Sequence, residues 1–130
     1  MDVIAIDSSA LVAIILLEPD FELLVARISN ADRVLISPVS LVECGIVLER
    51  RLGPQGSREI DELLRRFAIE IFPIDVAQAR TALLAHWRFG RGLHPAGLNF
   101  GDCFSYALAK SEAIPLLFKG NDFSQTDVLT

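Results

Sequence analysis

Cysteine, histidine, lysine and long apolar runs are all scarce in this chain, and each scarcity removes a class of function. Its two cysteines, Cys44 and Cys103, make neither a disulfide framework nor a metal motif. Each lies inside an apolar stretch and is expected to behave as a small buried hydrophobe. His86 and His94 have no metal-ligand spacing; His86, beside Trp87, is expected to pack on a helix and His94 to sit in a loop. No Ser/His/Asp order, P-loop, G-x-G-x-x-G or C-x-x-C is present. The longest apolar run, Ala10 to Leu17, falls well short of the roughly 18–20 residues a membrane span needs. The opening Met1-Asp2 has no basic leader, so a cytoplasmic protein without a membrane partner is expected.

Positive charge is also in short supply. The net charge is −5 and the isoelectric point about 4.9, which argues against holding nucleic acid on a broad basic surface. Arginine nevertheless outnumbers lysine ten to two, and arginine suits bidentate phosphate contacts. An acidic protein still reaches phosphate when cations bridge its carboxylates to it.

What is plentiful is apolar side chain: 52% of the 130 residues, with a mean hydropathy of +0.42. That is enough for a substantial core without staples. No repeat, low-complexity tract or linker interrupts the chain, and residues 1–130 are expected to form a single domain. Val3 to Ile6 predicts a buried strand, and Asp7-Ser8-Ser9 the cap of a helix running to about Leu17, ended by Glu18-Pro19. A second helix is expected from Asp20 to Ser29 and a second strand over Val34 to Ile36. Ser37-Pro38 makes a good N-cap and first helical residue, opening a helix to about Arg51 that Gly53-Pro54 stops. Ser57 to Phe67 predicts an amphipathic helix, Ile69 to Ile74 a third strand, and Asp75 the cap of a helix to about Phe89. Gly90 to Leu98 is a Gly/Pro loop. A helix is expected from Asn99 or Phe100 to about Ser111, a fourth strand over Pro115 to Phe118, and a short last strand at Val128-Leu129. Short apolar strands alternating with helices indicate an α/β fold around a mostly parallel sheet.

Against this background four carboxylates are out of place, because each abuts an apolar run that looks buried. Asp7 closes Val3 to Ile6, Glu43 interrupts the run from Val39 to Leu48, Asp102 precedes Cys103 to Ala109, and Asp122 follows Leu116 to Asn121. A buried carboxylate is costly unless paired, hydrogen-bonded or bound to metal. Each acid has a local explanation: Asp7 as an N-cap, although Ser8 or Ser9 would serve as well and leave Asp7 free; Glu43 as the acid of the capping box S-x-x-E that begins at Ser40. If Ser37 is the N-cap instead, Glu43 sits in the second turn, on the face of Ser40 and flanked by core residues. Asp102 lies three residues after a possible cap, Asn99, and Asp122 sits in ordinary turn chemistry. Together, however, they collect at strand ends and helix starts, where sites of parallel α/β sheets form. Converging carboxylates repel one another and would take up protons without a counter-charge. An all-oxygen set favours Mg²⁺ or Mn²⁺, and such a site suits phosphodiester hydrolysis without a protein nucleophile.

The segments Ile6-Asp7-Ser8-Ser9-Ala10-Leu11, Ser40-x-x-Glu43, Asn99-Phe100-Gly101-Asp102 and Lys119-Gly120-Asn121-Asp122-Phe123 resemble the PIN-domain ribonucleases, and among them the VapC-type toxins of toxin–antitoxin pairs. The resemblance extends over essentially the whole chain; the end at Thr130 is shorter than in many relatives and puts the last strand in question. It implies a three-layer α/β/α sandwich in which Asp7, Glu43, Asp102 and Asp122 hold Mg²⁺ or Mn²⁺. Ser9 and Asn99 would support the site by hydrogen bonds. It also implies an endoribonuclease acting on tRNA, rRNA or mRNA, a homodimer, and a small antitoxin that enters the acidic groove, giving a hetero-oligomer. Arg91 and His94 in the loop, and Lys119 after the fourth strand, are candidate RNA contacts. Two other readings use the same acids: a receiver-type phosphoacceptor domain, with Lys119 as its lysine, and a catalytically inactive PIN-like binding module.

Overall fold

The computed structural model describes all of residues 1–130. Four strands, β1 (Val3–Ile6), β2 (Arg33–Ile36), β3 (Glu70–Ile71) and β4 (Leu116–Leu117), form a purely parallel sheet in the order β3-β2-β1-β4. Between β1 and β2 the chain forms α1 (Ser8–Ile15) and α2 (Phe21–Asn30). Between β2 and β3 it forms α3 (Pro38–Leu52) and α4 (Gln55–Arg66), and before β4 come α5 (Val76–Phe89) and α6 (Phe100–Glu112).

Alternation along the strands makes this a three-layer structure. Ile4, Ile6, Val34 and Ile36 face a core built with Leu11 and Ile14 of α1, Ile28 of α2, Cys44 and Leu48 of α3, and Ile60 and Leu63 of α4. Ala5 and Leu35, one residue out of phase, face the opposite core with Ala82, Ala85 and Phe89 of α5 and Tyr106 to Ala109 of α6. The expected α/β/α sandwich is therefore present, and both cysteines are buried in it as anticipated.

Several local expectations are corrected. The third strand is only two residues long, not six. It is an edge strand paired with β2 alone, Pro73 cannot extend the ladder, and Ile71 is exposed. Val128-Leu129 do not form a strand; a single bond from Leu116 N–H to Leu129 O remains, because Val128 N–H turns back to the Thr126 hydroxyl. His86 and Trp87 both lie on the exposed face of α5, since the buried stripe of that helix runs through Gln78, Ala82, Ala85 and Phe89. The residues flanking Glu43 are core on one side only: Cys44 is fully buried, whereas Val42 is 61% and Ile46 46% exposed.

Order β3-β2-β1-β4 places the topological switch between β1 and β4, the crevice at which open parallel sheets bind ligands. Asp7 follows β1 directly, and Lys119 and Asp122 follow β4. The two edges are tied together there by Asp7 N–H to Leu117 O and Lys119 N–H to the Ser9 hydroxyl oxygen.

Candidate active site

At that crevice a cavity of about 360 Å³ is lined by Asp7, Glu43, Asp102 and Asp122, with Ser8, Ser9, Glu18, Asn99 and Lys119 at its walls. All four sequence-predicted acids thus meet in one pocket, and the supporting candidates Ser9 and Asn99 are beside them. Lys119 also reaches it, its ammonium donating to the Pro19 carbonyl across the α1–α2 turn. His94 does not reach it. Its Nδ1 accepts from Ala96 N–H and its ring stands edge-on to Phe89, so it packs the loop. Arg91 is exposed in a neighbouring apolar groove with Phe100 and Phe104, which shares Asn99 with the acid pocket.

Each acid is held differently. Asp7 is 2% exposed and is itself the N-cap of α1, its Oδ2 accepting from Ser9 N–H at 3.0 Å. Of the two readings left open, Asp7 rather than Ser8 or Ser9 is the cap, and one oxygen caps while the other accepts from the Ser105 hydroxyl. Ser37 caps α3, which puts Glu43 in the second turn, where a capping box cannot claim it. Its Oε1 accepts from the Ser8 hydroxyl at 2.6 Å. Asp102 is locked in a capping box with Asn99: Asp102 N–H donates to Asn99 Oδ1 at 2.8 Å, and Asn99 N–H to Asp102 Oδ2 at 3.0 Å. Asp122, exposed, precedes a one-turn 3₁₀ helix (Phe123–Gln125).

The sequence reading missed two hydroxyls. Ser8, rather than Ser9, bonds an acid, while the Ser9 hydroxyl oxygen serves the backbone of Lys119. Ser105 binds Asp7 from the far end of the sequence. Spacing offered a signal for Ser105, three residues after Asp102 and so on the same helical face, but none for its partner. Gly101 has a role that its motif does not reveal: a Cβ there would stand 2.3 Å from Glu43 Oε2. The absence of a side chain is what lets the Glu43 carboxylate rest on the first turn of α6.

The electrostatics match the packing. Burial, followed by the charges of Asp7, Asp122 and Glu43, pushes the Asp102 carboxyl up to about 7 against the lowering effect of its Asn99 bond. Burial, with Asp7 and Glu43 adding to it, raises the Cys44 thiol to about 12, and Cys44 does not line the pocket. The pocket therefore offers oxygen donors only, and no arginine lines it. Its acids do not close into a ready-made cage of three ligands. Excess negative charge around a carboxyl held near neutrality is the environment a divalent cation relieves.

The receiver-type alternative fails on topology. Such domains place strand three beside strand one in the order 2-1-3-4-5, whereas here β3 is the outer edge and the first acid after it, Asp75, does not line the pocket.

Comparison with known proteins agrees with the geometry. A PIN domain family model matches residues 4–129. A protein named "Ribonuclease VapC" from Mycolicibacterium smegmatis is 50% identical over 123 residues, covering 95% of each chain. The fold matches a solved structure described as that of Mycobacterium tuberculosis VapC20, a "Sarcin-Ricin loop cleaving toxin", with a TM-score of 0.77 at 19% identity over 97% of this chain and 96% of that one. It also matches a toxin–antitoxin complex from Klebsiella pneumoniae, with a TM-score of 0.69 at 16% identity over 97% and 94% of the two chains.

Proposed function

The chain belongs to the PIN domain family, in its VapC-type branch, and from that premise we propose that it is the ribonuclease toxin of a toxin–antitoxin pair. It hydrolyses RNA phosphodiester bonds as an endonuclease, with Mg²⁺ or Mn²⁺ as cofactor. The observation that carries this reading is the convergence of Asp7, Glu43, Asp102 and Asp122 on one arginine-free pocket at the switch point of the sheet. The 50% identity to a protein named as a ribonuclease supports the reaction class.

A divalent cation held by these carboxylates would activate water near neutral pH and offset charge on the leaving oxygen. Asp7 and Asp102 are best placed to hold it, being immobilised by Ser105 and Ser9 N–H on one side and by the Asn99 capping box on the other. Glu43, kept in place by the Ser8 hydroxyl, and Asp122 at the open rim complete the set. Fixing these carboxylates in advance removes reorganisation from the reaction. Lys119, at the pocket edge, and Arg91, across Asn99, are positioned to meet RNA phosphates and offset the repulsion of an acidic protein.

The same reading gives the protein two protein partners, a second copy of itself and a small antitoxin. Apolar side chains left exposed next to the acids support this, with Val42 61% and Phe100 74% exposed. An antitoxin arginine entering the pocket would meet uncompensated carboxylates. The RNA target is drawn from tRNA, rRNA or mRNA, and the site of action is the cytoplasm.

The test is cleavage of a mixed RNA substrate by the purified chain. Activity should require Mg²⁺ or Mn²⁺, vanish with EDTA, and vanish in folded Asp7→Asn and Glu43→Gln variants. Wild-type rates in either variant would refute the assignment. Expression without an antitoxin should arrest bacterial growth; harmless accumulation of active protein would remove the toxin reading while leaving the nuclease one.

A further inference from the structure

The pocket rests on a pair of serines that line none of it. Ser40 and Ser105 are 0% and 1% exposed, and their hydroxyl oxygens are 2.8 Å apart. Ser105 has one hydroxyl proton, and it is committed to Asp7 Oδ1. The contact between the serines must then be made with the proton of Ser40, which donates to Ser105 Oγ. The result is a buried chain with a fixed direction, from Ser40 to Ser105 to Asp7, joining α3, α6 and the end of β1.

The placement of these serines is regular. Ser40 lies three residues before Glu43 on α3, and Ser105 three residues after Asp102 on α6. On a helix that spacing puts each serine on the same face as its acid, one turn deeper. Each helix therefore brings a carboxylate to the pocket and a hydroxyl beneath it. The two hydroxyls meet where α3 and α6 cross, and Gly101 lets Glu43 lie against α6 above them.

We propose that Ser40 and Ser105 are positioning residues that set the spacing of α3 and α6 and aim the Asp7 carboxylate, thereby fixing the cation-binding geometry of the pocket. This rests on the metal-dependent reading above. One Asp7 oxygen is held from below by Ser105 and the other by Ser9 N–H, so the remaining lone pairs have a single orientation in the cavity. Removing the Ser105 hydroxyl leaves Oδ1 without its buried donor and frees the carboxylate to rotate. Removing the Ser40 hydroxyl leaves Asp7 its direct partner but unties that partner from α3, a smaller effect. Outer partners of metal ligands typically change affinity by roughly 10–100-fold.

The experiment is a Mn²⁺ titration of the full chain without RNA, following free Mn²⁺ by electron paramagnetic resonance, for wild type, Ser105→Ala, Ser105→Cys and Ser40→Ala. Near-ultraviolet circular dichroism serves as the check on folding. Wild type should bind Mn²⁺, Ser105→Ala should bind about tenfold more weakly or worse, and Ser40→Ala should fall between. In RNA cleavage the loss should appear in kcat, with KM for RNA unchanged. If Ser105→Ala does not fold, Ser105→Cys, which keeps the shape with a weak donor, and Ser40→Ala must show the reduced affinity. Folded serine variants that bind Mn²⁺ as wild type does would overturn the proposal and leave the metal reading standing. A wild type that takes up no Mn²⁺ would overturn both.

Discussion

Two carboxylates lie against α6, Asp102 in its first turn and Asp127 beside its second half, and the protein treats them in opposite ways. Asp127 accepts from the Tyr106 hydroxyl at 2.6 Å and from Lys110 Nζ at 3.2 Å, with Arg88 a further 3.7 Å cation. Despite the opposing effect of partial burial, these partners hold its carboxyl below the usual range. Asp102 is more buried, has three acids for neighbours and is pushed up to about 7. Elsewhere too the chain pairs its acids with arginine: Asp2 with Arg27, Glu70 with Arg33, Glu62 with Arg65. These exposed pairs contribute little stability each. The four acids of the switch point have no such ion pair. None of the chain's ten arginines lines that pocket, and the one basic side chain there, Lys119, donates to the Pro19 carbonyl; in the proposed metal-dependent reading the charge is met by a cation from outside.

The sharpest way to break this contrast is to neutralise the crowded acid. Asp102→Asn keeps the acceptor oxygen for Asn99 N–H and removes a charge that burial and its neighbours oppose. RNA cleavage should fall by more than the roughly 100-fold typical of outer-sphere changes, while the thermal midpoint of the cation-free protein rises. A variant that loses stability together with activity would mean that Asp102 is a structural cap. Gly101→Ala comes next. A methyl group 2.3 Å from Glu43 Oε2 must displace that carboxylate, so activity should drop about tenfold or more. Alanine is the better helix former by roughly 1 kcal/mol, so folding should be little harmed. Unchanged activity would show that the seat of Glu43 is not critical.

These two positions also mark how far the sequence could be read. The alternation in Ile4-Ala5-Ile6 and Val34-Leu35-Ile36, and the caps Ser37, Asp75 and Asn99, are local signals, and they locate the strands, the helices and the sandwich. The acids were legible because a charge inside an apolar run is anomalous wherever the chain folds. Contacts between distant segments were not. Nothing near Ser105 names Asp7, 98 positions away, and nothing near Gly101 names Glu43. Edge position was equally hidden: Ile69 to Ile74 has the composition of a strand, but its lack of a second neighbour is a property of the sheet. Exposure at Val42 and Ile46 is hidden for a related reason, since apolar composition does not distinguish a core position from an exposed one.

The two carboxyls should also give opposite pH dependences. The folded pKa of Asp102, about 7, lies above its unfolded value, so its contribution to stability is full below about pH 4 and is lost as pH rises through 7. Cation-free protein should therefore lose thermal stability over that interval, and Mg²⁺ should restore it by favouring the ionised pocket. Asp127 has the reverse sign. Its folded pKa is lowered, so its contribution is present above the unfolded value near 4 and disappears as pH falls through the folded one. Melting curves from pH 4 to 8 with and without Mg²⁺ separate the two, because only the Asp102 component responds to the cation. A stability profile that is flat from pH 4 to 7 in EDTA would remove the electrostatic contrast.

The smallest effect is expected at the satisfied end. Asp127→Ala removes the acceptor of Tyr106 and the partner of Lys110, whose ammonium and the Asp127 side chain are both about two-fifths exposed. Hydrogen bonds to a charged group contribute about 1.5–3 kcal/mol, but exposure screens this one, and Tyr106 can turn to water. The loss should be near 1 kcal/mol, read as a fall of a few degrees in the melting temperature. It should vanish at low pH, where Asp127 is protonated in the wild type as well, and Mn²⁺ affinity and RNA cleavage should not change. If they do change, the two carboxylates of α6 are coupled along the helix: the tether that Asp127 provides at Tyr106, one residue past Ser105, would then be holding the acid pocket in shape.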